Sequence, residues 1–183
     1  MSIRYLYLFV CGLILAGIIH ISIILLIPNY GSRDAWNIIS ADSKMWVFNN
    51  LSTNKEVSDA LVDTDPYIKM GACTFDLDEA GLRLIGGKST NFWSVSVFDQ
   101  GGSIVYSLNN NTSINNQLNL IVLNPIQMVS LRESPSEEVE HAVVLEADIG
   151  KGFIVLRQFQ RDESDKDAVN DFLASAICMR IAK

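Results

Sequence analysis

"FWSVSVFDQGGSIVYSL", residues 92–108, places two strand-type runs on either side of an Asp-Gln-Gly-Gly break. The flanks are rich in Val, Ile, Ser and aromatic residues, and Asp99 with the glycine pair supplies the chemistry of a tight antiparallel turn. A hairpin of this kind disfavours a parallel α/β sheet, whose neighbouring strands need long crossovers. Working outward, apolar runs of strand length recur at 67–77, 82–85, 118–123, 142–149 and 152–159, each bounded by turn-rich sequence. "HAVVLEADIGKGFIVLRQF", 141–159, predicts a second hairpin in which Gly150 and Gly152 supply positive φ. "KMWVFNN", 44–50, also reads as a strand, and the polar segment 51–66 that follows reads as turn-rich. Pro125 opens a short helix in "NPIQMVSLRESP".

The tail "SDKDAVNDFLASAICMRIAK", 164–183, predicts one amphipathic helix with Val169, Phe172, Leu173, Ala176 and Ile177 on its apolar face. Acidic residues at its start and Arg180 and Lys183 at its end suit the helix dipole. The expected fold class is mainly β (α+β): one N-terminal transmembrane helix, then an antiparallel β-sheet or sandwich domain with a C-terminal amphipathic helix. Two regions follow, an anchor at 1–28 and a β-rich extracytoplasmic domain at 29–183.

Leu6 to Ile27 is a run of 22 residues without a formal charge. At about 1.5 Å per residue it reaches roughly 33 Å, enough to cross a hydrocarbon core. A secretory signal has a shorter apolar region followed by a small-x-small cleavage site, and Pro28-Asn29-Tyr30-Gly31 provides none. Lipoprotein processing needs a small residue before its cysteine, but Cys11 follows Val10. Tyr5 and Tyr7 at one end and Tyr30 and Trp36 beyond the other suit the headgroup layers. Gly12 and Ala16, four apart, form a small-residue face for a helix–helix contact, a pattern also common in any membrane helix. His20 within the run is read as a neutral imidazole that faces a partner or reaches toward the interface. A short separate helix in "RDAWNIIS", capped by Ser32 or Asp34, is expected where the chain leaves the membrane. Arg4 on one side is balanced by Arg33 and Lys44 on the other, so charge does not set the sidedness.

After Pro28 there are 21 acidic and 13 basic residues, a formal charge of −8. That charge repels phosphate backbones, and no basic stripe with interleaved aromatics occurs, which argues against nucleic-acid binding. The domain holds two cysteines, Cys73 and Cys178, with two readings: one long-range disulfide, or two buried thiols packed as small hydrophobes. No G-x-S-x-G, H-E-x-x-H, phosphate-loop, dinucleotide or C-x-x-C signature is present, so no cofactor or metal is implied. Glu138-Val139-Glu140-His141 has an E-x-x-H spacing but no second copy, and "DLDEAG", 76–81, is half of a calcium loop better read as a turn. Asn50, Asn110 and Asn111 head nominal glycosylation sequons that also serve as turns. Phe92, Trp93 and Phe98 are expected in the core rather than around a ligand.

"FWSVSVFDQGGSIVYSLNN", with its aromatic-Trp-Ser opening, Phe-Asp turn and Tyr-Ser-x-Asn close, resembles the bacterial domain of unknown function 1254 family and its sister family 1214. "HISIILLIPNYGSRDAW" and "GFIVLRQFQRD" are similar to its short, membrane-anchored members. The resemblance implies a β-rich envelope domain on one inner-membrane helix, facing the periplasm, with no established activity. Longer members join both sister domains in one polypeptide. By that likeness this chain is expected to dock beside a protein that carries the sister domain; a homodimer is the rival, since symmetric dimers are common, and in either case the leading expectation is a non-enzymatic role. The competing expectation is a periplasmic hydrolase or small-ligand-binding protein built on Asp99, Tyr106, His141 and Arg157.

Overall fold

The computed structural model describes residues 3–51, 65–113, 116–135, 139 and 141–181. The polar segment 52–64, Glu138 and Glu140 lie outside the described residues. Among the described residues, nine strands form two layers. The first sheet has the order β1 (Asn49–Asn50), β2 (Ile68–Asp76), β8 (Lys151–Phe159), β4 (Trp93–Asp99), β5 (Ile104–Asn109), all antiparallel. The second has the order β7 (Val143–Glu146), β6 (Gln117–Leu123), β3 (Gly81–Lys88), β9 (Ile177–Ile181). Its pairs are antiparallel except β6 with β7, which run parallel.

Period-two side-chain alternation builds the core between the layers. Cys73, Ile154 and Val97 stand in one cross-strand row of the first sheet and point inward. Phe75, Leu156, Val95 and Trp93 join them, facing Leu82, Leu84, Leu118, Leu120 and Val122 of the second sheet. Cys73 and Cys178 are joined across this core, with Cα atoms 6.5 Å apart. The outer face of the second sheet buries Ile121 and Leu123 under Met128 of helix α2 (Pro125–Glu133). Asn124 and Gln127 close a reciprocal capping box at the start of α2, with Pro125 in its first turn. Helix α3 (Lys166–Ser175) inserts Val169, Phe172 and Leu173 into the central core, and the Phe172 and Trp93 rings lie 6.1 Å apart.

Helix α1 runs unbroken from Ile3 to Asp42, so its last turns replace the separate short helix expected at 33–40. Ile3–Ile27 is long and apolar enough to cross a membrane. Beyond Pro28, Ala35, Trp36, Ile38 and Ile39 pack on the outer face of the first sheet against Phe153, Val155 and Ala72. The spacing i, i+1, i+3, i+4 lays the helix axis along that face.

Three further expectations are corrected. The last helix stops at Ser175, where the Ser175 hydroxyl bonds the Phe172 carbonyl and accepts from the Gly87 amide. Ile177–Ile181 then becomes strand β9 paired to β3, with Cys178 inward and Ile177 exposed, because "ICMRI" satisfies a sheet edge better than a fourth helical turn. The second hairpin does not form: β7 lies beside β6 and β8 lies in the opposite layer. Gly152 is needed there for closeness rather than for positive φ, since a Cβ would run into the Phe98 carbonyl and the Phe75 ring. Among the described glycines only Gly102, in the β4–β5 turn, has positive φ (80°). Finally, Lys44–Phe48 is not strand; Trp46 takes a left-handed φ of 67° there, and its amide donates to the Thr74 carbonyl.

Two measurements check this packing. Replacing both bridged cysteines by alanine is expected to cost about 2–5 kcal/mol in urea or guanidinium unfolding, given the 105-residue separation. Gly152→Ala is expected to lower stability by about 1–3 kcal/mol through overpacking.

Candidate functional site

The four polar residues singled out from the sequence do not meet. Asp99 ends β4, and its Oδ1 accepts from the Ser103 amide at 2.8 Å, so the carboxylate holds the hairpin turn. Tyr106 sits opposite Val97 on the inner face of β5 and remains 37% exposed at the sheet edge. Arg157 stands on the opposite, outer face of β8. His141 belongs to the second layer, exposed just before β7, where its carbonyl accepts from the Asn119 amide side chain.

Arg157 begins a hydrogen-bonded row on the outer face. Its Nη1 donates to Ser96 Oγ at 3.4 Å, Ser96 and Ser107 hydroxyls are 3.0 Å apart, and Ser107 Oγ donates to the Val95 carbonyl at 3.3 Å. The row therefore reaches from β8 across β4 to β5. Among the described residues no acidic side chain pairs with this guanidinium, and half-burial lowers its pKa from the ordinary value. Elsewhere, Ser164 holds the Asp162 carboxyl below its ordinary pKa through its hydroxyl and amide, and Glu163 raises Lys166; both contacts belong to the 3-10 turn Glu163–Asp165 that leads into α3.

The depressions in the surface are shallow and open. One of about 520 Å³ is lined by Asp76, Asp78, Asp99, Gln100, Ile149 and Lys151. Asp76 spends one carboxylate oxygen on the Asp78 amide at 3.0 Å, so "DLDEAG" is a hydrogen-bonded turn between β2 and β3. A second depression joins Gln100 and Gly101 to Trp36 and Asn37 of α1. Among the described residues no three His, Cys, Asp or Glu side chains are grouped to hold a metal. Gly12 and Ala16 are exposed on α1, with no neighbouring atoms within 4 Å of a Cβ built at Gly12. Asn110 and Asn111 lie in a single 3-10 turn that Asn109 caps.

Sequence reasoning missed two surfaces. Phe92, expected in the core, is 51% exposed because its neighbour Trp93 takes the inward position; Phe98 packs, half-buried, against the smaller apolar cluster under α1, stacked on Phe153 with centroids 4.8 Å apart. Tyr67, Phe92 and Phe159 instead form an exposed aromatic group at one end of the first sheet, with the Tyr67 and Phe159 rings 6.4 Å apart. The second is the outer edge of β5, where Ile104, Val105 and Tyr106 are all exposed. Strict alternation could have assigned Phe92 outward; only the strand order reveals β5 as an edge.

Comparison with known families and with curated protein sequences gave no match. Among solved structures, the chain is similar to the VPA0106 protein from Vibrio parahaemolyticus, with a TM-score of 0.60 and 8% identity. That match covers 84% of this chain and 36% of the Vibrio chain. An uncharacterized protein from Burkholderia cenocepacia matches with a TM-score of 0.45 and 15% identity, covering 63% of this chain and 31% of its own. The first likeness establishes a shared fold, a mainly β sandwich in the α+β class. This chain spans about a third of the length of each of those proteins.

If Arg157 serves binding rather than stability, removing it should leave the fold intact. Arg157→Met keeps the stem volume and orphans no buried acid, so its urea midpoint is expected to match or exceed the parent's, within about 1 kcal/mol.

Proposed function

We propose that the chain is a membrane-anchored envelope domain of the domain of unknown function 1254 type. Its helix stays attached in the bacterial inner membrane, its sandwich faces the periplasm, and it works without catalysis through a protein partner carrying the sister domain. The observation that carries the non-catalytic reading is the dispersal of Asp99, Tyr106, His141 and Arg157 over three separate surfaces, where catalysis needs convergence. The Cys73–Cys178 bond supports an oxidising compartment. The continuous helix through Asp42, packed on the sheet by Trp36 and Ile39, supports retention of the anchor as part of the folded domain. The likeness to a chain of which this fold occupies 36% supports a domain that elsewhere sits within more polypeptide. Two chains held in one membrane plane gain effective concentration much as fusion provides it.

Intact-mass measurement of the mature protein is expected to find residues 1–28 present; an amino terminus beyond residue 28 would refute the anchor. An alkaline phosphatase fusion after Lys183 should be active, and activity of only a cytoplasmic reporter at that position would place the domain on the other side.

A further inference from the structure

We infer that the outer edge of β5 receives an extended strand from a second, different polypeptide, which continues the first sheet beyond its fifth strand. The inference rests on the anchored reading above and names the surface through which it works. Sheet edges carry unpaired backbone donors and acceptors, and proteins guard them with short strands, charges or covering elements. Among the described residues, three of the four edges are guarded. β1 is two residues long; β7 has four and ends in Glu146, ion-paired to Arg132 at 3.4 Å; β9 carries Arg180, which lies over the Trp46 ring and 3.7 Å from Glu79. β5 has six residues, no charge and no proline, and one extra residue, Val105, near its turn. Ile104 is 64% exposed there and Val105 36%. The whole stretch 100–131 contains no charged residue, in a domain of net charge −8. An uncharged edge, regular over Tyr106–Asn109 beyond the bulge at Val105, is the surface that strand addition uses, with main-chain bonds giving affinity and alternate side chains giving selectivity.

The geometry of α1 decides between a second copy and another protein. Two copies of β5 paired antiparallel would be related by a two-fold axis perpendicular to the sheet. α1 meets the sheet face by one side, Ala35, Trp36, Ile38 and Ile39 packing while Asn37 and Ala41 stay exposed, so its axis lies closer to the sheet plane than to that two-fold. A half-turn about such an axis turns the helix by more than a right angle, and the two anchors would diverge. Copies inserted from the same side of one membrane cannot meet this way. The occupant is therefore a strand of another polypeptide, presenting an apolar side chain beside Tyr106 on the inner face. On the outer face it presents a hydrogen-bonding or acidic one beside Ser107, where the row from Arg157 ends.

The test uses the full chain in its native membranes, with a benzophenone-bearing phenylalanine analogue placed at Val105, at Ser107 or, as a separate surface, at Phe92. The expected adducts from Val105 and Ser107 fall in one segment of one other polypeptide, two or three residues apart, as a paired strand dictates. Tyr106→Lys should cut the Ser107 adduct about tenfold or more, by placing a charge in the new interface, without lowering the melting temperature. Adducts to a second copy of the chain, or adducts scattered over unrelated sequence, would overturn the inference. Adducts from Phe92 alone would sink the β5 edge while leaving a protein partner in place, and no adduct from any position would sink both.

Discussion

Among the described residues, the Cys73–Cys178 bond is the one covalent link between the two layers, and the C-terminal third of the chain is organised around it. Cys73 stands mid-strand in β2, fully buried, in the row it shares with Ile154 and Val97. Cys178 belongs to a five-residue edge strand that pairs with β3 alone. To bring that strand under Cys73, the chain must leave β8 in the first layer and enter the second. α3 makes the passage and fills the space between the sheets with Val169, Phe172 and Leu173. The same closure sets Arg180 over the Trp46 ring, at the residue that takes a left-handed backbone.

How much of this was legible follows from the range of the forces involved. The β4–β5 hairpin was readable because its turn is local: Asp99 and Gly102 satisfy it within five residues. The α2 start was readable for the same reason, through Asn124, Pro125 and Gln127. The partner of β7 was not. Gly150 and Gly152 look like turn residues, but Gly152 is demanded by a carbonyl and a ring that are distant in sequence. The last helix was overextended because Val169, Phe172, Leu173, Ala176 and Ile177 fit helical spacing, whereas "ICMRI" also fits strand alternation. Only the bond to Cys73 and the ladder to β3 decide between them. For the candidate site, the residue types were readable and their dispersal was not, since face and layer depend on strand order.

One helix from Ile3 to Asp42 removes the flexible linker that a break at Pro28 would have introduced. Trp36 follows Ile27 by nine residues, about 14 Å along a helix, so the β4–β5 turn beside Trp36 and Asn37 lies near that end of the apolar span. With α1 on one face of the first sheet and the second sheet on the other, both broad faces are occupied. What stays open is the lateral edge at β5.

Charge then bears on that edge. A net −8 repels other acidic surfaces, an effect that decays over about 8 Å at physiological ionic strength. Across the uncharged stretch 100–131, the strand we propose at β5 would meet no charge of this chain to steer or fix it. Register must come from the backbone ladder and from side-chain alternation, with Tyr106 on one face and the Arg157–Ser96–Ser107 row on the other. The row suits that task because a half-buried guanidinium without an acidic partner favours a strand that brings an acceptor within reach of Ser107, and disfavours one that brings an apolar group.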